Sequence, residues 1–147
     1  MTAASLFFVD TSLLLYCLDG RHTRKRSAAL RWRDRLWEAR AGRLSWQVLD
    51  EFYAGATRKM GAPAPVVRKV VAQYAFWEPV GSGLGLLQPA WHWMDAAGLP
   101  FWDSLILSAA EAAGCSFLLS ERFQSGRKFR HVTVVNPFTS DPSAYGL

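Results

Sequence analysis

The chain has 147 residues, of which 50% are hydrophobic, 14% aromatic and 20% charged, and its formal net charge is +5. This length predicts one domain, 1–147, and the composition excludes an intrinsically disordered chain. No apolar stretch approaches the about 20 residues that span a bilayer, and no basic start with an apolar core precedes Phe8, so we expect a cytoplasmic protein without membrane contacts.

The first half of the chain alternates short apolar runs with amphipathic segments. Residues 6–9 form a continuous apolar run, typical of a strand buried on both faces, and residues 13–16 begin the next helix. Apolar residues at helical spacing predict an amphipathic basic helix over 23–40, which Gly42 ends. Residues 44–46 predict a second short strand.

The second half continues the same alternation. The predicted helices cover residues 47–59, 62–76, 87–97 and 101–113, and the predicted strands cover 116–120 and 132–135, with a polar loop between them. Strands that alternate with helices predict an α/β sandwich around a parallel sheet.

Positive charge is concentrated in two stretches. Between Arg21 and Arg43 there are nine basic residues against two acidic ones, and a second basic stretch covers 122–131. Arg31 and Arg35 lie off the apolar stripe of the predicted basic helix, so we predict that they contact the phosphates of a polyanion such as a nucleic acid. A merely solvated helix face is the alternative interpretation.

Four acidic residues follow strands or begin helices. Asp10 comes directly after the first strand, Glu51 lies one turn into the next helix, Asp103 lies in the first turn of another, and Glu121 follows a buried strand. Sites in parallel α/β sheets lie outside the carboxyl ends of the strands, so these acids are predicted to meet there. Each also has a simpler alternative as a helix cap, a first-turn acid or a solvated side chain.

Carboxylates that meet require a proton or a cation. At about 4 Å, two of them repel by roughly 4 kcal/mol at an effective dielectric constant of about 20. Oxygen ligands favour Mg²⁺ or Mn²⁺ over zinc, and such ions cleave phosphodiesters by activating water. The hydroxyls of Ser12, Ser45 and Ser104 are candidates to orient that water or to hold a carboxylate.

The acids lie within recognisable motifs. The sequence reads FVDTSLLLY at 8–16, SWQVLDEFY at 45–53, FWDSLILSAA at 101–110, LLSERFQSG at 118–126 and VNPF at 135–138. In this order the segments resemble the motifs of PIN-domain ribonucleases, in particular the VapC-like toxins of type II toxin–antitoxin pairs.

The resemblance implies a PIN-like three-layer α/β/α sandwich with a short central parallel sheet. It implies an Mg²⁺ (or Mn²⁺) site in which Asp10, Glu51 and Asp103 bind the metal and Glu121 completes the catalytic acids. It further implies cleavage of single-stranded or structured RNA, a homodimer, and a cognate antitoxin protein whose C-terminal segment covers the site.

Arg122 departs from the family pattern, because the fourth motif often has Asp at that place. Three interpretations stay open. Glu121 substitutes from the neighbouring position, or the site works with three acids and a cation, or Arg122 holds the scissile phosphate.

Other functions compete with the nuclease hypothesis. A haloacid-dehalogenase-type enzyme requires an acid where Ser12 stands, and a response-regulator receiver requires acids before Asp10, where none occurs. A non-catalytic basic protein that binds nucleic acid is a further alternative, as is a PIN nuclease that processes RNA instead of acting as a toxin.

Overall fold

A five-stranded sheet forms the centre of the fold in the computed structural model, which describes residues 4–147. Residues 1–3, on which the prediction of no secretory leader partly rests, lie outside the described residues. In spatial order β2-β1-β3-β5-β4, the strands are β1 (Phe7–Val9), β2 (Gly42–Arg43), β3 (Phe117–Leu119), β4 (Lys128–Phe129) and β5 (Val132–Val135). All neighbouring strands are parallel except β4, which runs antiparallel to β5.

Six α-helices accompany the sheet in the described part of the chain. They are α1 (Thr11–Leu18), α2 (Thr23–Ala39), α3 (Trp46–Ala54), α4 (Ala64–Tyr74), α5 (Leu84–Ala97) and α6 (Phe101–Ala112). Helix α3 continues into a π-helical turn, Gly55–Lys59, while α6 packs on β3 and β5 and α2 contacts β2. The predicted α/β/α sandwich around a short central sheet is confirmed, and the sheet is mostly parallel instead of wholly parallel because β4 is antiparallel. Within residues 4–147, no helix combines the length and apolar character needed to cross a membrane.

The core lies around the central strands. Phe7, Phe8 and Val9 of β1 are all at most 1% exposed, so the prediction of a strand buried on both faces is confirmed. The indole of Trp32 is fully buried against this strand, and its Nε1 donates a hydrogen bond to the carbonyl oxygen of Pro137 at 2.9 Å. This pairing satisfies the polar atom of the largest buried side chain.

The second strand lies two residues earlier than predicted. It comprises Gly42–Arg43, whereas Ser45 caps α3 by accepting a hydrogen bond from the backbone N–H of Val48 at 3.3 Å. The predicted role of Gly42 as a helix stop is also wrong, because α2 ends at Ala39 and its C-cap is Arg40, which has the left-handed conformation. Gly42 is needed for packing instead, since a Cβ there would lie 2.5 Å from the ring of Trp77.

The segment predicted as a polar loop contains the short strand β4. Its pairing with β5 brings Lys128 opposite Thr133, and Phe129 is only 2% exposed. A run of basic residues conceals this strand in the sequence, because only one of its two side chains is buried. Helix α5 also begins earlier than predicted, at Leu84 directly after Gly83.

Candidate active site

Asp10 is fixed at the carboxyl edge of the central strands. It follows Val9, whose register partner is Leu119, so Ser120 emerges beside it. Asp10 Oδ1 accepts a hydrogen bond from the backbone N–H of Thr11 at 2.8 Å, and Oδ2 accepts one from Ser120 Oγ at 2.7 Å. The carboxylate therefore caps α1 and is also bound from the neighbouring strand.

The burial of Asp10 has an electrostatic consequence. The side chain is only 1% exposed, and this loss of hydration raises the pKa of its carboxyl group above the usual value of 3.8. The hydrogen bonds from Ser120 and Thr11 and the charge of Arg122 lower the pKa in part, whereas the nearby Glu51 raises it further. The buried negative charge is thus under-compensated, a state that favours a cation or a proton.

Glu51 is positioned by two side chains. Its Oε2 accepts a hydrogen bond from Thr11 Oγ1 at 2.8 Å, and its Oε1 accepts one from Gln47 Nε2, one helical turn earlier, at 3.0 Å. The first bond links α3 to the start of α1, directly beside Asp10. The structure therefore brings Glu51 and Asp10 together, as the sequence predicted.

Asp10 and Glu51 line the same cavity, which has a volume of about 480 Å³. Both acids share it with five side chains that bear on charge or hydrogen bonding: Thr11, Ser12, Arg58, Lys59 and Arg122. Carboxylates therefore lie at the cavity wall together with three basic groups that are suited to a phosphodiester backbone.

Asp103 joins this group through Arg122. Its side chain is 14% exposed, and its Oδ1 lies 2.5 Å from Nη2 of Arg122, although it accepts no aligned hydrogen bond. Asp103 does not itself line the cavity of Asp10, whereas Arg122 does. The residue at which the fourth motif departs from the family pattern therefore connects the third acid with the first two.

Glu121 is oriented differently from the other three acids. Its Oε2 accepts a hydrogen bond from Nζ of Lys25 at 2.8 Å, and Tyr16 contacts the same ammonium group. Glu121 does not line the cavity of Asp10. The structure places it in an ion pair with Lys25 of α2, and its predicted role as a fourth acid stays a prediction.

The residues fit a hard cation in chemistry, but the ligand set is not assembled. Among the described residues, no group of three or more Asp, Glu, His or Cys side chains is placed to hold a metal ion. However, two buried hydroxyls, Ser12 Oγ and Ser104 Oγ, have no hydrogen-bond partner in that part of the chain, and Asp103 Oδ1 has only its ion pair with Arg122. Orphaned buried oxygens of this kind are costly unless an ion or water satisfies them.

The predicted RNA contacts on α2 lie apart from the cavity. Arg31 and Arg35 are exposed, and Arg31 forms an ion pair with Asp141 at 3.1 Å. The rise of a helix places Arg35 about 15 Å along α2 from Lys25, which pairs with Glu121. Their contact with RNA stays a prediction.

Sequence reasoning missed the basic residues nearest the acids. Arg58 and Lys59 are exposed side chains of the π-helical turn that line the cavity. A signal was present, because Arg58 follows Glu51 by seven residues and so falls on the same face of a continuous helix. It also missed Ser120 and Thr11, which hold the carboxylates.

Comparison with known proteins identifies the family and the fold. The PIN domain family model matches residues 7–132, and no curated protein matches the chain in sequence. The crystal structure of Mycobacterium tuberculosis VapC20, a toxin that cleaves the sarcin–ricin loop, is similar in fold with a TM-score of 0.52 and 20% identity. That match covers 76% of this chain and 86% of the other. Since the family model spans nearly all of the sheet and every helix of the site, the chain belongs to the PIN-domain family.

Proposed function

We propose that this PIN-domain protein is an endoribonuclease that depends on Mg²⁺ or Mn²⁺. The observation that carries the proposal is the buried carboxylate of Asp10, which lies beside Glu51 in a cavity that also contains Arg58, Lys59 and Arg122. A buried carboxylate suits a cationic cofactor, and the exposed basic side chains beside it suit a polyanionic substrate. The geometry supports phosphodiester cleavage better than binding alone, because binding RNA does not require a buried acid.

Each residue contributes to hydrolysis in a defined way. A divalent ion held by Asp10, Glu51 and Asp103 would supply an activated water and stabilise the leaving oxygen. Thr11 and Ser120 fix two of these carboxylates before substrate arrives, so little reorganisation is needed.

Arg122 supports phosphate binding in this proposal. Its side chain is 48% exposed, lines the cavity, and uses one nitrogen of its guanidinium for Asp103. The remaining N–H donors suit two oxygens of a phosphate. Arg122→Ala is therefore expected to reduce cleavage at saturating metal without changing the metal dependence. Arg122→Asp should tighten metal binding, because it adds a carboxylate where the family often has one.

The central experiment measures cleavage of labelled RNA by the purified protein with Mg²⁺ or Mn²⁺. Asp10→Asn and Asp103→Asn should abolish cleavage while circular dichroism shows an unchanged fold. Asp34→Asn is the matched control, because it removes an exposed acid that pairs with Arg33 on α2. Cleavage at the wild-type rate by either site variant would show that the proposed site is wrong.

The biological role proposed is that of a toxin in a bacterial toxin–antitoxin pair. The support is the structural similarity to VapC20 and the VapC-like fourth motif around Ser120. A homodimer and a cognate antitoxin that covers the site are proposed with it. A small open reading frame directly upstream that overlaps this one would support the toxin, and its product should suppress RNA cleavage when added to the protein. A gene without such a neighbour would favour an RNA-processing nuclease.

A further inference from the structure

A second concavity lies on the other side of Glu51. It has a volume of about 810 Å³ and is lined by residues of α3, α5 and α6, including two tryptophans, Trp46 and Trp102. Glu51 lines both this groove and the cavity of Asp10. We name it the tryptophan groove.

The two tryptophans expose their rings within this concave surface. Trp46 is 44% exposed and Trp102 is 59% exposed. In the described range 4–147, no aromatic ring packs on Trp46, and the ring of Phe101 is the one aromatic neighbour of Trp102. Exposure of an apolar indole ring to water is unfavourable, and a flat ligand that stacks on the ring would remove that cost.

Both tryptophans also lie close in sequence to the residues of the proposed active site. Trp102 precedes Asp103 directly, and Trp46 lies at the start of α3, from which Gln47 reaches Glu51 through its hydrogen bond. Any ligand part that occupies the groove is therefore next to the proposed cleavage site.

From these observations we propose that the tryptophan groove binds an unpaired base of the RNA beside the scissile phosphate. The proposal rests on the proposed function and adds the way in which the substrate is positioned. Exposed aromatic side chains next to a basic cavity are how proteins hold single-stranded nucleic acid, with bases stacked and phosphates paired. Here Arg58 and Lys59 lie on one side of Glu51 and the indoles on the other.

The polar lining of the groove fits the edge of a base. Gln47, Asp50 and Ser82 line it together with the tryptophans, and Asp50 makes no side-chain hydrogen bond or ion pair to any residue that the structure describes. Amide, carboxylate and hydroxyl groups are the usual partners of base edges. The volume of about 810 Å³ lies in the range of concave sites that bind small molecules.

The test measures binding of a short, fluorescently labelled single-stranded RNA in the presence of a chelator, so that no cleavage occurs. Trp46→Ala and Trp102→Ala should each weaken binding about tenfold, the loss expected for one stacked base. Trp46→Phe should restore most of the affinity, because it keeps an aromatic face. Trp91→Ala is the matched control, since Trp91 is 47% exposed but lies outside the groove.

An RNA of the same length with abasic sites completes the experiment. Wild-type protein and Trp46→Ala should bind it equally, because no base remains to stack. Unchanged affinity of Trp46→Ala for the intact RNA would overturn the proposal. Unchanged affinity together with loss of self-association, or of antitoxin binding, would show that the groove receives a protein instead.

The outcomes for the groove and for the nuclease are distinguishable. If wild-type protein cuts no RNA with either metal, yet Trp46→Ala weakens binding, the nuclease proposal fails and the base site stands. If cleavage depends on Asp103 while Trp46→Ala binds RNA normally, only the base site is wrong.

Discussion

Replacing the buried Asp10 with asparagine should raise the stability of the metal-free protein. The asparagine side chain would keep the hydrogen bond from the Thr11 N–H, and its amide would donate to Ser120 Oγ in place of accepting from it. The substitution therefore preserves shape and removes a charge whose carboxyl pKa is raised by burial. We expect the free energy of unfolding to increase by about 1 to 3 kcal/mol, which is the usual cost of an under-compensated buried group.

The pH dependence gives this prediction a sign that can be checked. Because the native pKa of Asp10 lies above 3.8, the native state binds the proton more tightly than the unfolded state does. The stability contributed by protonation is full below pH 3.8 and is lost as pH rises through the native pKa. The advantage of Asp10→Asn should therefore be small in acid and largest near neutral pH.

Thermal unfolding followed by circular dichroism in a chelator measures this difference. A gain of about 1 to 3 kcal/mol corresponds to roughly 3 to 10 °C in Tm for a chain of this size. Adding Mg²⁺ should stabilise the wild type and not Asp10→Asn, since only the wild type binds the ion well. Asp34→Asn serves as the control and should leave Tm nearly unchanged near neutral pH, because the side chain of Asp34 is exposed. A metal-free Asp10→Asn variant that is less stable than wild type near neutral pH would refute the reasoning.

Three further predictions concern charge and packing around the site. Arg58→Glu should weaken RNA binding and flatten its salt dependence more than Arg35→Glu, since Arg58 lines the cavity; equal slopes in a salt titration would contradict this. Glu121→Gln should leave the metal dependence of cleavage unchanged, because Lys25 holds that carboxylate; a curve displaced to higher metal would identify Glu121 as the fourth ligand. Gly42→Ala should lower the free energy of unfolding by about 1 to 3 kcal/mol in a denaturant titration, because the added methyl overlaps an indole ring; an unchanged midpoint would show that the ring moves aside.

Most of the backbone architecture was predictable from local pattern. The continuous apolar run before Asp10 predicted a strand buried on both faces, and sequence patterns located the six described α-helices to within a few residues, though not the short 3-10 helix Pro142–Tyr145. The errors occurred where structure depends on distant partners. Strand β2 was misplaced because its two residues are defined only by pairing with β1, and β4 was missed because it exists only against β5.

The sequence by itself determined the chemistry available to this protein. Acids after strands, basic stretches and few histidines or cysteines predicted an oxygen-ligand site for a polyanionic substrate. Tertiary structure decided how those groups pair. In the folded chain Glu121 pairs with Lys25, Arg122 pairs with Asp103, and Trp46 is exposed in a groove beside the acids. The physical reason is that periodicity records which face of an element is buried, whereas contacts between distant side chains depend on how separate elements pack.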